Sequence, residues 1–358
     1  MRSLRYIGTV LMLLIAFLQG ANAREESDTD YKEQQVDVNE IVFGHIGDSY
    51  EWHITDIGDT PIAIPLPVIV KSSTGWHAFL SSKFEEGNGE YEGLYIAKDG
   101  EYKGKIVEKD ASGNEVKPLD ISITKNVTGL FVNSTILVIL VLSCARWYKK
   151  HPVEKEAPKG MVGMMEACIL AINDDVIKGC IGKDYKRYAP YLLTAFFFIL
   201  INNLMGLIPF FPGGANITGN IAVTFVLAIC TFLAVNLWGN KEYWKEILWP
   251  DVPWWLKAPF PMMPIIEIFG IFTKPFALMI RLFANMMAGH AAILSLISII
   301  FITANMGPLI NGSMAFGIFM TALELLVAFI QAYVFTMLSA VFIGLSRTEE
   351  MREEKEIK

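Results

Sequence analysis

Long runs without charged residues occupy most of the chain after residue 125 and predict a mostly α-helical membrane protein. Residues 126–145 are uncharged and are about long enough for one crossing of a bilayer. Residues 188–240 are also uncharged and suffice for two crossings, joined by a turn at 212–216. A long helix at 260–303 and a final helix ending near Leu345 complete five predicted crossings.

The helix at 260–303 is too long for one perpendicular crossing, so we expect either a strongly tilted passage or a break near Gly270 or Pro275. With the final helix it is predicted to form a long tilted hairpin. Before these helices, residues 158–180 form an amphipathic stretch that predicts a helix at the inner membrane interface. Its charged side chains are expected to face water: Glu166, Asp174, Asp175 and Lys178.

The chain begins with the pattern of a secretory signal peptide. Arg2 and Arg5 precede an apolar core at 6–18, and the small-x-small motif ANA follows at 21–23. We therefore predict a signal peptide at residues 1–23. The alternative is an uncleaved first transmembrane helix, and in either case the segment that follows is exported.

The exported segment, residues 24–126, is acidic and predicted to be β-rich. It holds 21 Asp and Glu against 10 Lys and Arg, although the whole chain has a net charge of only −7. Residues 24–40 are polar and predicted to be disordered. From residue 41, short alternating runs rich in Ile, Val, Tyr and Trp are separated by turn residues, which favours a small β-rich domain. His45 and His53 alone would make an incomplete metal site, and the segment contains no cysteine.

The distribution of basic residues predicts the orientation of the helices. The turns at 212–219 and 304–313 contain no Lys or Arg, and the exported N-terminus belongs on their side after five crossings. The C-terminus, including a charged tail at 347–358, is then cytoplasmic. The residues of the opposite, inner loops are basic: Arg146, Lys149, Lys150, Lys183, Lys186, Arg187, Lys241, Lys245, Lys257, Arg347 and Arg352.

Few charges lie within the apolar helices, and these are the candidate functional residues. Between Lys257 and Arg347 only four residues carry a formal charge: Glu267, Lys274, Arg281 and Glu324. A charge at the bilayer centre costs roughly 2.5–3.5 kcal/mol on insertion scales, and arginine cannot lose its proton to avoid that cost. A permanent positive charge at Arg281 therefore indicates a function within the membrane.

The spacing of the polar residues predicts which of them share a helix face. Glu267, Lys274 and Arg281 are seven residues apart, and Asn285 follows four residues later, so one helix would present them as a polar stripe. Glu324 and Gln331 repeat the seven-residue spacing on the final helix. His290 lies nine residues after Arg281, about half a turn around the helix, where a neutral imidazole close to Glu324 would suit a proton relay.

Structural alternatives remain open for several of these residues. Arg281 could form a buried structural salt bridge with Glu267 or Glu324. Lys274 is expected to extend its ammonium toward the interface or to neutralise Glu267, in a structural or accessory role. The amides of the middle helices could join helices or line a channel: Asn202, Asn203 and Asn220.

Other classes of function have little support in the sequence. The chain contains no GxxxxGK[ST] loop, metal cluster or basic nucleic-acid surface, so neither a cofactor nor a nucleic-acid partner is expected. One alternative function is that of a secondary transporter or ion channel with an exported sensor domain. Such proteins often contain internal repeats, and no convincing repeat is present here. A third class is a membrane anchor that displays the β-rich domain and transports nothing.

Four segments carry a resemblance to a known family. The run PIIEIFGIFTKPFALMIRLFANMMAGH at 264–290 resembles the signature of subunit a of F-type ATP synthases, which has an Arg-Leu-Phe-x-Asn-x-x-Ala-Gly core. NNLMGLIPF at 202–210, TGNIAVTF at 218–225 and FIQAYVF at 329–335 are also similar and occur in the family's order. The resemblance covers residues 158–346, just over half of the chain.

The resemblance implies a non-catalytic, ion-conducting stator subunit that couples proton flow to rotation through two half-channels. Arg281 then corresponds to the essential arginine that faces the carboxylates of a c-subunit ring, and Gln331 to the glutamine beside it. His290 and Glu324 match a pair of the access half-channel, and this pair favours protons as the coupling ion. Further polar positions of the outer path match Glu267, Asn285 and Asn220.

The resemblance also implies the partners and the location. Residues 127–346 form the membrane domain, and the expected partners are the c ring, the b subunits of the peripheral stalk, the remaining ATP synthase subunits and the lipid bilayer. The expected location is a bacterial inner membrane, with the N-terminal domain in the periplasm. Gly270 and Ala277 depart from family positions that often hold a small polar residue. The exported segment resembles extensions of some bacterial members.

Overall fold

A computed structural model describes nine parts of the chain: residues 47–57, 60–84, 87, 89–110, 113–151, 157–208, 212–248, 262–303 and 308–347. The chain divides into two compact units, 1–37 and 38–358, and every described residue belongs to the second. The predicted signal peptide, the predicted disordered segment at 24–40, His45 and the tail after residue 347 lie outside the described residues.

The described part of the exported segment consists of short antiparallel strands, which confirms the β-rich prediction. The first two strands form a hairpin: β1 (Glu51–Ile57) and β2 (Thr60–Pro65). A three-stranded sheet has the order β4-β3-β8: β3 (Pro67–Ser72), β4 (Gly75–Leu80) and β8 (Leu119–Asp120). A second has the order β5-β6-β7: β5 (Leu94–Ile96), β6 (Ile106–Lys109) and β7 (Glu115–Val116).

A small apolar core holds the two three-stranded sheets together. Val68 and Val70 point to the same face of β3, as the two-residue period of a strand requires, and both are buried. They pack with further buried side chains of the cluster: Tyr50, Phe84, Leu94 and Ile106. The Tyr50 hydroxyl donates a hydrogen bond to Asp120 and accepts one from the backbone N–H of Ile106. These bonds join strands β6 and β8 across the core.

The rest of the described chain is helical. Its helices are α1 (Lys125–Lys150), α2 (Gly160–Leu170), α3 (Lys178–Ile181), α4 (Tyr185–Leu207), α5 (Ile221–Leu237), α6 (Lys241–Leu248), α7 (Met262–Thr303) and α8 (Pro308–Leu345). A π-helical turn, Ala171–Ile177, joins α2 to α3. Mostly helical architecture is thus confirmed.

By length and hydropathy, three described helical segments could cross a membrane. They are Lys125–Lys150, Gly160–Leu207 and Ala315–Leu345, and the apolar helix Ile221–Leu237 is shorter. These segments do not establish the five predicted crossings, which stay a prediction. The interfacial position of residues 158–180 also stays a prediction.

Helix α7 is continuous, so the expected break near Gly270 or Pro275 is absent. Its 42 residues include Pro275 in the interior, where proline removes one backbone donor. In apolar surroundings every further lost backbone hydrogen bond is expensive, which favours keeping the helix intact on both sides of the proline. The alternative of a tilted passage stays a prediction.

The helices pack around α4 and α8. Helix α4 packs chiefly against α8, while α7 packs against both α5 and α8. Large buried side chains fill these contacts: Leu192, Phe196, Ile199, Leu278, Leu282 and Met286. This packing brings the middle of α7 and the middle of α8 side by side, where the polar residues singled out above lie.

The predicted inner ends of the helices are tied together by polar contacts. The Arg347 guanidinium lies 3.2 Å from the Asp184 carboxylate and donates to the Tyr188 hydroxyl at 2.8 Å. Asp174, Asp175 and Lys178 are exposed, as predicted for the amphipathic stretch, whereas Glu166 is half-buried and bonded to Tyr148.

Candidate functional site

Glu324 and His290 form a close pair between the last two helices. Glu324 lies in the middle of α8 and is only 5% exposed. Its Oε1 atom lies 3.5 Å from Nδ1 of His290 on α7. The two helices approach closely because residue 289 is glycine: a Cβ atom there would lie 2.5 Å from Glu324 Oε1. Gly289 therefore makes room for the carboxylate.

His290 is surrounded by hydrogen-bond acceptors. Its Nδ1 lies 2.9 Å from the carbonyl oxygen of Met286, one turn earlier on α7. Its Nε2 lies 3.1 Å from the carbonyl oxygen of Gly206, near the end of α4. Neutral imidazole donates from one nitrogen and imidazolium from both, so these acceptors suit a ring that gains and loses a proton.

The pair can exchange protons but is not satisfied by hydrogen bonds within the protein. Within the described ranges, neither carboxylate oxygen of Glu324 has a hydrogen-bond partner. Buried polar atoms normally have partners in the protein or in ordered water. A buried carboxylate without hydrogen bonds, next to a histidine, is therefore better suited to passing a proton than to stabilising the fold.

Buried amides and hydroxyls connect α1, α4 and α8 near this pair. Asn203 donates to the carbonyl oxygen of Ala328 on α8 at 3.1 Å and accepts from the Thr218 hydroxyl at 2.7 Å. Asn133 of α1 donates to the side chain of Asn202 at 2.9 Å. These bonds favour the interpretation that Asn202 and Asn203 join helices.

Sequence reasoning missed several residues of this region. Asn133 interrupts an apolar run, and Thr218 begins the segment TGNIAVTF that resembles the family, so a signal was available for both. Gly206 contributes a carbonyl oxygen, and Gly289 contributes the space left by its absent side chain. Both lie in segments that resemble the family, but that resemblance does not show what they contact. Only the packing of distant helices reveals their contacts.

Arg281 lies on a different side of α7 from the pair. Its side chain is exposed, as is that of Asn285 one turn later. The exposed residues about one turn before and after Arg281 on the same face include the apolar Ala277 and Ala284. Gln331 of α8 is buried beside it, and its Nε2 atom lies 3.5 Å from the Arg281 carbonyl oxygen.

Arg281 has no acidic partner in the part of the chain that the structure describes. Glu324, one of the two partners considered for a structural salt bridge, instead faces His290. The other, Glu267, lies near Tyr243 at the far end of the stripe. The guanidinium is therefore a permanent charge on an apolar surface, available to a group outside the chain.

The remaining candidates occupy separate positions. The Lys274 ammonium lies 5.8 Å from the ring centroid of Phe342, and no ion pair joins it to Glu267 among the described side chains. Lys274 and Glu267 are both half-buried, whereas Arg281 is exposed, so the three do not share one environment. Asn220 caps α5, accepting a hydrogen bond from the Ala222 N–H at 3.0 Å.

The metal hypothesis for the exported domain gains no support. Within the described ranges, no group of three or more His, Cys, Asp or Glu side chains is placed to hold a metal ion. His53 lies in strand β1, and His45 falls outside the described residues. The hypothesis therefore stays untested.

Comparison with known proteins assigns the two parts of the chain separately. The family model described as ATP synthase A chain matches residues 130–344. A second model, for a domain of unknown function (DUF8433), matches residues 41–125. The helical part thus has a family with a known role, and the β-rich part has one without.

Similar proteins carry the same description. ATP synthase subunit a of Pelodictyon phaeoclathratiforme is 48% identical over 243 residues, covering 66% of this chain and 69% of that protein. The subunit of Chloroherpeton thalassium is 43% identical over 245 residues, covering 66% and 70%. That of Myxococcus xanthus is 40% identical over 236 residues, covering 64% and 74%. The chain therefore belongs to the family of subunit a of F-type ATP synthases, membrane proteins of ATP synthesis and proton transport.

Proposed function

We propose that this chain is the proton-translocating stator subunit of a rotary F-type ATP synthase. It provides two half-channels, and Arg281 couples ion flow to rotation of the c ring. The observation that carries this proposal is the exposed Arg281 side chain on an apolar face of α7, without an acidic partner among the described residues. A permanent cation on a membrane-facing surface calls for a mobile anionic partner.

The mechanism follows from the charge of that partner. A ring carboxylate must be neutral to move through lipid and charged to be attracted by Arg281. Protonation from one half-channel releases it from the arginine, and deprotonation into the other returns it. The fixed cation also opposes direct passage of a proton between the half-channels, because like charges repel strongly in a low dielectric. Downhill proton flow then requires rotation.

The access half-channel is proposed to run past the His290–Glu324 pair. The 3.5 Å separation and the surrounding acceptors support proton exchange there. Asn285, Asn220 and Glu267 are proposed to line the outer path, and Gln331 to hold the backbone beside Arg281. Each proton that crosses a membrane potential of 100 mV releases about 2.3 kcal/mol to drive this cycle.

The proposed setting is a bacterial inner membrane. Residues 1–23 are the signal peptide, 24–126 the periplasmic domain, 127–346 the membrane domain with five crossings and 347–358 the cytoplasmic tail. The partners are the c ring, the b subunits of the peripheral stalk and the remaining subunits, which carry the ATP chemistry. The chain itself conducts ions without catalysis.

Arg281→Ala tests the proposal. In membrane vesicles with the whole ATP synthase, the variant is expected to abolish ATP-driven proton pumping while the complex still assembles, because the ring carboxylate loses its only fixed counter-charge. Arg281→Lys is also expected to fail, since the ammonium lacks the planar guanidinium geometry. Pumping is followed with a pH-sensitive dye, and assembly by the subunits that copurify. Coupled pumping by an assembled Arg281→Ala complex would refute the role.

A further inference from the structure

The exported domain contacts the membrane domain through a tryptophan. Trp52 of strand β1 is only 3% exposed and packs against Ala215 and Ile217 in the turn between α4 and α5. Gly129 of α1 closes the same contact, because a Cβ atom there would lie 2.7 Å from the Ala215 Cβ. The turn therefore lies against β1 and α1 together.

The inner side of this turn lies beside the His290 site. The Ala215 carbonyl oxygen would lie 3.6 Å from a Cβ atom at Gly206, and Gly206 is the residue whose carbonyl oxygen faces His290 Nε2. Thr218, in the same turn, bonds to Asn203 of α4. Trp52 thus packs on the same turn that approaches Gly206 and bonds to Asn203.

The exported domain also holds the beginning of α1. The Lys125 N–H donates to the Ser49 carbonyl oxygen at 2.9 Å, and the Asn126 N–H donates to the Asp48 carboxylate at 3.0 Å. A carboxylate at this position is favoured by the positive end of the helix dipole. The first turn of α1 is therefore fixed by residues of the exported domain.

Lys125 brings a positive charge into the same region. Its side chain is only 8% exposed, and the next residue bonds to Asp48. Lys125 lies one helical turn before Gly129, the residue of α1 that meets Ala215 of the turn. An ammonium group next to a polar path repels other cations, protons included, and so lowers their local concentration.

Several buried polar atoms of α1 and of the turn between α4 and α5 lack protein partners. Among the residues that the structure describes, Asn126 Oδ1, Asn133 Oδ1 and Asn216 Nδ2 are buried without a hydrogen bond. Such atoms are normally satisfied by water. They belong to α1 and to the turn under Trp52, so water is expected along this boundary.

We propose that the exported domain forms the outer wall of the proton access path to His290. Trp52 is a positioning residue that holds the turn at 212–220 in place. Lys125, anchored next to Asp48, sets the charge at the outer part of the path. This inference rests on the proposed function, because it assigns the exported domain a part in the same proton conduction.

Trp52→Ala tests the contact in the whole ATP synthase. ATP-driven pumping per assembled complex is expected to fall by roughly three- to tenfold, because the turn loses its support. Trp52→Phe is expected to retain most of the activity. Trp76→Ala is the matched control, since Trp76 belongs to the same domain but is 60% exposed. Pumping by an assembled Trp52→Ala complex at the level of the control would overturn the positioning role.

Lys125→Met tests the charge and keeps an apolar side chain of similar length. Passive proton conduction through vesicles stripped of the ATP-hydrolysing sector is expected to rise by about two- to fivefold, because the repelling charge is gone. Damage to the fold would lower conduction instead, and Lys125→Arg should behave as the unmodified protein. The measured part is the conduction that a carbodiimide blocks by modifying the ring carboxylates, which excludes leaks. Unchanged or lower conduction in Lys125→Met overturns the charge role.

Arg281→Ala, measured in parallel, separates the two proposals. If it abolishes pumping while the Trp52 and Lys125 variants match their controls, only the role of the exported domain is wrong. If coupled pumping persists in Arg281→Ala, the proposed function itself is wrong.

Discussion

A glycine decides how close the carboxylate of Glu324 comes to helix α7. At Gly289 the absent side chain leaves the space that the Glu324 carboxylate occupies, and His290 follows directly in the chain. The geometry of the proton-exchanging pair therefore depends on a residue that has no titratable group. This makes Gly289 a sharper test of the pair's geometry than a change of either titratable group.

Gly289→Ala is expected to lower ATP-driven proton pumping by roughly tenfold, because the new methyl group displaces the carboxylate from His290. Gly270→Ala on the same helix is the control, since a Cβ atom there meets nothing closer than Glu267 Oε2 at 4.0 Å. Pumping is measured per assembled complex. Equal pumping in the two variants would show that the distance between Glu324 and His290 does not limit proton passage.

At the scale of elements, a buried tyrosine joins the sheets of the exported domain. Tyr50 bonds to Asp120 on β8 and to the Ile106 N–H on β6. Burial, followed by the hydrogen bond to Asp120, raises the pKa of Tyr50 above its ordinary value of 10.0. The folded domain thus holds the phenol proton more tightly than the unfolded chain. This stabilisation is complete below pH 10.0 and is lost as the pH rises toward the folded-state pKa.

Tyr50→Phe is expected to lower the free energy of unfolding of the exported domain by about 1–3 kcal/mol, because Asp120 and the Ile106 N–H lose a buried partner. Protease sensitivity of the domain in the full chain measures the change. Tyr95→Phe is the control, because its hydroxyl bonds to Glu115 at an exposed position. Equal sensitivity of the two variants would contradict a stabilising role of the Tyr50 hydrogen bonds.

Helix α7 contains a residue that often ends a helix. Proline frequently breaks or kinks helices, yet α7 runs from Met262 to Thr303 without interruption and includes Pro275. Helix α7 packs against α5 and α8. Local propensity is a weak guide when tertiary packing supports a helix.

At the scale of the whole molecule, charge is sorted between two sides. The exported segment is acidic, and the predicted inner ends of the helices carry the basic residues, including Lys149 and Lys150 at the end of α1. Arg347 and Asp184 join two of these ends. This sorting supports an outer β-rich domain and an inner C-terminus.

Cysteine labelling tests this orientation. After the native Cys144, Cys168, Cys180 and Cys230 are replaced by serine, Asp99→Cys and Lys149→Cys introduce single thiols at exposed positions. In spheroplasts, an impermeant maleimide is expected to label position 99 directly and position 149 only after permeabilisation, because the predicted crossing at 126–145 lies between them. The reverse pattern would contradict the orientation.

The sequence by itself determined the membrane class and the β-rich character of the N-terminal segment, and it singled out the polar residues of interest. These follow from local patterns: uncharged runs of crossing length, two-residue alternation, and the isolated charge of Arg281. The seven-residue spacing also placed Glu324 and Gln331 on nearby turns of one helix. Local patterns of this kind need no knowledge of distant contacts.

Only the tertiary structure decided which of these residues meet. His290 faces the carbonyl oxygen of Gly206, which is 84 residues away in the sequence. The Glu324 carboxylate packs against Gly289 of another helix. Trp52 of the exported domain packs on a turn more than 160 residues away. Such contacts depend on helix packing and on the shape of the residue on each side. Side-chain periodicity along one element carries no information about its partner, so the sequence pattern could not specify them.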